Sequence, residues 1–330
     1  MGLRCFTVDT ITSFSFARSV DAMDVPEFCA PIVQAMEDSI LPMLVFRHFS
    51  FLRTIIMGLP PWLSVRINPD TAALVHMRQM LVKQVTDFSE NPHLLNETPH
   101  KIIYHELMRP GAHKGGAMPT LKSLYEEAQV MVFAGADTVG NTLMMGIFNV
   151  LEQPDVLKKL KAELLNAWPD LNEAPRYQEL EKLPYLTAVI KESLRISPGV
   201  PTPLPRIVPS AGATISSKYV PGGTIVGMST TFIHNSEAIF KDAMTFNPDR
   251  WLGHKGQELD QWLVPFSTGP RSCLGMNLAW CELYIGFATL FRKFDMKLDG
   301  TRSSDLSCRD CFLPRYTGRH LRAFCEPVKA

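Results

Sequence analysis

From Ala128 to Leu151 the chain runs almost continuously apolar, its strongest interruptions being Asp137, Asn141 and Asn149. A stretch of that composition must find an apolar environment, either a protein interior or a bilayer. No window reaches the roughly 18 consecutive uncharged apolar residues that a simple membrane span needs. An acid at the centre of a span would also be costly. The expectation is therefore a long helix over 121–152, buried in the core of a mainly helical protein. A membrane-embedded helix is the alternative, and it would place Asp137 in lipid.

The remaining elements follow from periodicity and punctuation. Pro154 opens a helix to about Ala167, and Pro184 opens another that ends before Pro198, each with proline at the first turn where its missing N–H costs nothing. Residues 1–50 read as helical, punctuated by Pro26, Pro31 and Pro42. Further helices are expected over about 70–88, 101–108 and 274–294. From Pro201 to His234 proline and glycine multiply, and runs such as TIS and TIVGMSTTFI suggest short strands. YVPGGT, Tyr219 to Thr224, reads as a hairpin turn. The tail carries strand-like pieces. No repeat or flexible linker breaks the chain, so a single domain over 1–330, mainly α with small β-sheets, is expected.

Composition excludes other classes. With 33 basic and 33 acidic side chains, the chain has no electrostatic footprint for nucleic acid. Seven cysteines are too few and too scattered for a disulfide scaffold, and their odd number points to reduced thiols facing the cytosol. The opening MGLRCFTVDTITSF lacks the apolar run of a signal peptide.

The segment that carries chemistry is FSTGPRSCLG, Phe266 to Gly275. A cysteine that binds a soft metal does so as thiolate and needs an electropositive setting. Cys273 stands just before the last long helix, where free backbone amides and the positive helix end favour that thiolate. Gly269 and Gly275 permit close approach to a flat partner. Arg271 can pair with an anionic group on it. Within the apolar helix, Asp137 is either a satisfied core acid or a functional one. Thr138 either bonds back to the carbonyl of Ala134 and bends the helix, or uses that bend, beside small Gly135, to leave room for a small ligand. Glu192 and Arg195, three apart on one helix face, are by default a surface pair. Cys308 and Cys311 form a lone CxxC without a second pair and make no zinc site. His100, His105 and His113 share no ligand spacing and are expected in a solvated loop. Cys281 is expected on the apolar face of the last helix.

These segments together resemble the cytochrome P450 family. FxxGxRxCxG, the family's haem-binding signature, is matched by Phe266, Gly269, Arg271, Cys273 and Gly275. AGADT, Ala134 to Thr138, resembles its oxygen-activating helix segment. ESLR, Glu192 to Arg195, resembles ExxR, and FNPDRW, Phe246 to Trp251, resembles the PERF-type segment with Asp249 for Glu and Trp251 for Phe. The texture is that of filamentous-fungal secondary metabolism, including trichodiene-oxygenase-like enzymes.

The resemblance implies haem with Cys273 as thiolate ligand and metal-binding residue, with Phe266, Arg271 and Gly275 in the haem loop and Arg206 as a propionate partner. It implies that Asp137 and Thr138 deliver protons over the haem, in the room beside Gly135. It also implies a buried structural network of Glu192, Arg195 and Arg250. The implied activity is monooxygenation of an apolar small molecule. The implied partner is an NADPH-cytochrome P450 reductase on the cytosolic face of the endoplasmic reticulum, although no transmembrane anchor is evident in this chain. Trp62 and Arg66 superficially match the family's early WxxxR but fall in its substrate-roof region, so that role is not expected of them. The chain corresponds to about the C-terminal two-thirds of the usual family domain. Met1 is therefore expected to begin inside the fold, and a non-catalytic haem-binding or interaction fragment stands as the alternative function.

Overall fold

The computed structural model describes residues 1–67, 69, 72–111 and 118–328. The chain divides into two compact units, Met1–Asn141 and Thr142–Ala330.

The first unit is helical. It comprises α1 (Gly2–Phe16), α2 (Pro31–His48), α3 (Ser50–Met57), α4 (Pro61–Ile67), α5 (Ala72–Glu90), α6 (Ile103–Leu107) and the first part of α7 (Leu121–Glu152). Leu124, Ala128, Val132 and Ala136 recur every fourth residue, so they form one stripe of α7. That stripe joins Cys5, Val8 and Phe16 of α1, Val33 and Met36 of α2, and Met77, Leu81 and Val85 of α5 in a single buried cluster. α1 stops where Ala17 turns left-handed at φ 53° and gives its N–H to Ser13. Pro31 starts α2 as its first residue, whereas Pro42 lies inside that helix without ending it. Of the histidines, His105 lies in α6 and bonds the Ile102 N–H through Nδ1 at 3.0 Å. His100 Nε2 bonds the carbonyls of Ser13 and Phe14. The loop expectation thus fails for His105, while His113 and the helix start at Asp70 lie outside the described residues.

The second unit holds the rest of α7, then α8 (Pro154–Ala167), α9 (Tyr177–Leu180), α10 (Pro184–Ile196), α11 (Thr230–His234), α12 (Gly253–Leu259) and α13 (Met276–Lys293). Its strands pair two by two and antiparallel: β1 (Arg206–Ile207) with β4 (Ile225–Val226), β2 (Ala213–Ile215) with β3 (Lys218–Val220), β5 (Phe294–Leu298) with β8 (Ala323–Pro327), and β6 (Cys308–Cys311) with β7 (Leu313–Tyr316). Two local expectations change here. The β2–β3 turn is made by Ser216 and Ser217, both at positive φ (47° and 64°), and of the predicted turn segment Tyr219 and Val220 lie in β3 while Pro221 to Thr224 connect it to β4, a strand of a different pair. Positive φ at both central residues is what matches a tight turn to the strand twist, and here serine accepts the strain usually given to glycine. Thr230 to His234 folds as a helical turn, capped by Ser229 Oγ accepting the Thr231 N–H.

Two helical stretches, Pro26–His48 and Leu121–Glu152, are long and apolar enough to cross a membrane by length and composition. In the second of them Asp137 is 2% exposed and ion-paired, as befits a core helix.

Candidate functional site

In the second unit the FSTGPRSCLG segment is a loop that delivers Cys273 to the head of α13. Gly275 is the cap of that 18-residue helix, two positions past the sulfur. The loop is tied by the Cys273 N–H donating to the Phe266 carbonyl at 2.8 Å. Phe266 packs against Trp280 of α13 with ring centroids 6.2 Å apart. Ser267 and Gly269 take positive φ, 59° and 77°, which sharpens the turn. Cys273 is a free, exposed thiol, Arg271 is exposed, and Leu274 beside the sulfur is 85% exposed. A Cβ placed on Gly269 or Gly275 would meet nothing within 4 Å. A soft donor, an adjacent apolar side chain and open space over two glycines fit a flat apolar group carrying a thiophilic metal. Arg206 on β1 is exposed, with Nη1 donating to the Pro205 carbonyl at 2.9 Å.

The same unit holds a buried ion network. Arg195 Nε and Nη2 donate to the two Glu192 carboxylate oxygens at 3.0 and 2.8 Å, and both side chains are fully buried. The default surface pair is thereby excluded. Arg250 Nε donates to Glu192 at 3.1 Å. The remaining donors of the two arginines reach backbone carbonyls: Arg195 those of His234, Ala243 and Thr245, and Arg250 those of Lys241, Asp242 and Thr245. Trp251 Nε1 also donates to Glu192, at 2.8 Å, as does the Asn247 N–H. Where the family's PERF-type segment has Phe, the indole thus supplies an extra donor. Every polar atom of the pair finds a partner, which a charge pair removed from water requires.

In the first unit, Asp137 and Thr138 point in different directions. Thr138 belongs to a face with exposed Val130 and Ala134, at spacings of four, and its Oγ1 donates to the Ala134 carbonyl at 2.9 Å. Asp137 turns toward α1, where Arg4 Nε donates to Oδ1 at 2.8 Å. Arg4 in turn pairs with Glu37 of α2 at 3.0 Å. Asp137 Oδ2 is buried without a hydrogen-bond partner, and burial raises the carboxyl above its usual pKa despite Arg4. The expected room beside Gly135 is not there. A Cβ at Gly135 would come within 2.6 Å of Ile11 Cγ1, so this glycine serves the close approach of α1 to α7.

Trp62 and Arg66 are exposed on α4, Cys281 is only half-buried, and Cys308 and Cys311 are free thiols on β6. Among the described residues no cluster of His, Cys, Asp and Glu could hold a metal ion. Buried ionisable residues that escaped the sequence include His234, and Glu282 on α13, whose pKa burial pushes up to about 8. Neither sits in a motif with ligand spacing, so only their burial reveals them.

Comparison with known proteins defines the class. The sequence profile of the cytochrome P450 family matches residues 2–319. The haem domain of cytochrome P450DA superposes with a TM-score of 0.76 over 98% of this chain and 67% of that one, at 16% identity, which speaks for the fold alone. The chain belongs to the cytochrome P450 family. It is 33% identical over 98% of its length to the cytochrome P450 monooxygenase flvC of Aspergillus flavus, and 33% identical over 97% of its length to macH of Penicillium terrestre. It spans 60% and 63% of those two relatives. Family and fold imply haem with a cysteine thiolate ligand, and the exposed thiol loop described above fits that group.

Proposed function

We propose that this chain is a haem-thiolate monooxygenase that hydroxylates, epoxidises or desaturates an apolar small molecule in fungal secondary metabolism, with terpenoids among the candidate substrates. The observation that carries this is the free, exposed Cys273 at the head of α13, on a loop in the same unit as a fully satisfied buried ion network. Haem, when bound, supplies the oxidising chemistry, and a thiolate ligand pushes electron density toward iron. The protein's own share is to bind, orient and deliver protons.

Cys273 Sγ would hold the iron, with Gly275 and Phe266 shaping the loop around it. Arg271 and Arg206 would neutralise the propionates. The Glu192–Arg195–Arg250 network would keep the loop in place without touching the reacting atoms. Thr138, on the exposed face of α7, would present its hydroxyl to the reaction. Asp137 would take part in proton delivery through its buried, unpartnered Oδ2, on a carboxyl that burial raises above its usual pKa while Arg4 lowers it. Electrons would come from NADPH through a P450 reductase at the cytosolic face of the endoplasmic reticulum.

The test is spectroscopic. The reduced protein with carbon monoxide should show the red-shifted Soret band of thiolate ligation. Cys273→Ala should abolish it, and Cys308→Ala with Cys311→Ala should not. Persistence of the band in Cys273→Ala would refute the assignment.

A further inference from the structure

His234 closes α11, and it is 2% exposed. Its carbonyl accepts from Arg195 Nη1 at 2.7 Å. Its ring Nε2 accepts from the Val264 N–H at 3.0 Å. Two residues beyond Val264, the Phe266 carbonyl takes the Cys273 N–H at 2.8 Å. A single residue therefore bonds the ion network through its backbone and the root of the cysteine loop through its side chain. The ring is fixed in turn by Phe240, edge-on at 6.4 Å between centroids.

We propose that His234 is a positioning residue, which transmits the rigidity of the Glu192–Arg195–Arg250 network to the loop presenting Cys273. This rests on Cys273 being the haem ligand.

Several physical facts carry it. The acceptor role of Nε2 requires a ring without a proton there, and burial with the Arg195 charge lowers the pKa to about 4, so the ring is neutral at physiological pH. The Val264 amide lies in a partly buried bond, and leaving such a donor unmade costs more than the bond itself contributes. Val264 is followed by Pro265, which restricts its backbone to extended conformations. Pinning its amide thus fixes the direction in which the chain enters the loop. A histidine that merely filled space would be replaced by phenylalanine without consequence for the sulfur.

The experiment compares His234→Phe, His234→Gln and Val264→Pro with the wild type, all as purified holoprotein. Glutamine can offer an acceptor near the position of Nε2, and proline at 264 deletes the donor while His234 stays in place. Two quantities are read: hydrogen exchange of the Phe266 and Cys273 amides, and the share of the ferrous carbon monoxide spectrum in the red-shifted thiolate form. His234→Phe and Val264→Pro should accelerate exchange on the order of tenfold, as loss of one buried hydrogen bond allows. They should also move part of the absorbance to the blue-shifted thiol form. His234→Gln should stay near wild type. Unchanged exchange and spectrum in the phenylalanine and proline variants would overturn the proposal, and so would a glutamine variant no better than phenylalanine. If His234→Phe does not fold, Val264→Pro against His234→Gln decides by the same criteria. A red-shifted band that survives in Cys273→Ala would instead remove the ligand assignment, while the exchange measurement would still score His234.

Discussion

At the scale of single residues, the buried ionisable groups divide by how they are satisfied. Glu192 receives five hydrogen bonds, whereas Glu282 on α13 keeps Oε2 buried and unpartnered. Burial therefore lifts the Glu282 pKa from an ordinary 4.5 to about 8, because the charged form loses hydration without gaining a partner. A folded-state pKa above the unfolded one means that the folded chain binds the extra proton. Stability from this group is fully present below about pH 4.5 and is lost as pH rises toward 8. Glu282→Gln should flatten that slope, raising stability at pH 8.5 by a few kcal/mol at most, on the order the linkage allows, with little effect at pH 4.5. Urea midpoints of both proteins across that range measure it. A glutamine variant with the wild-type slope would show that water reaches Glu282.

At the scale of elements, glycines of α7 have opposite meanings. Gly146 faces Ser193 of α10 and Phe287 of α13 so closely that a Cβ would overlap both side chains. A Cβ on Gly140 would lie 3.4 Å from Arg4 Cγ and Thr7 Oγ1 of α1, at ordinary contact distance. Gly146→Ala should cost about 1–3 kcal/mol, the usual penalty of overpacking. Gly140→Ala should be neutral or should stabilise by up to about 1 kcal/mol, the helix-propensity difference. Thermal melts of the two variants should move in opposite directions or, at minimum, differ clearly; equal shifts would mean that propensity alone governs this helix. Helices that start at proline, α8 and α10, begin where the sequence places them, since a first-turn proline is a local signal. The β2–β3 turn is misplaced by sequence because two serines at positive φ leave no signature, while a proline and two glycines nearby mimic one.

At the scale of the whole molecule, stability comes from packing, and the buried charges make it fragile. Arg195 joins residues 192, 234, 243 and 245 by hydrogen bonds, so removing it takes two of the five bonds from Glu192 and the Arg195 donors from the His234 and Ala243 carbonyls at once. Breaking a buried pair costs about 3–5 kcal/mol, against a total stability of about 5–15 kcal/mol. Arg195→Ala should therefore lose cooperative melting or most of its soluble yield. Lys83→Ala, which removes an exposed pair with Asp87, should change stability by less than about 1 kcal/mol. A well-folded Arg195→Ala chain would mean that the network adds specificity and little else.

The sequence alone determined the mainly helical class, the course of α7, α8, α10 and α13, and the cysteine loop with its two glycines. These follow from hydrophobic period, proline position and local spacing, all of which act between near neighbours. Tertiary structure decided what distance in sequence hides. Asp137 turns to Arg4, Ile11 fills the space at Gly135, the Trp251 indole completes Glu192, and His234 reaches Val264. In each case the partner lies many residues away, and no local pattern names it. What a buried polar group bonds to is fixed only when the chain closes and water is excluded, because then every unmet donor or acceptor carries its full desolvation cost.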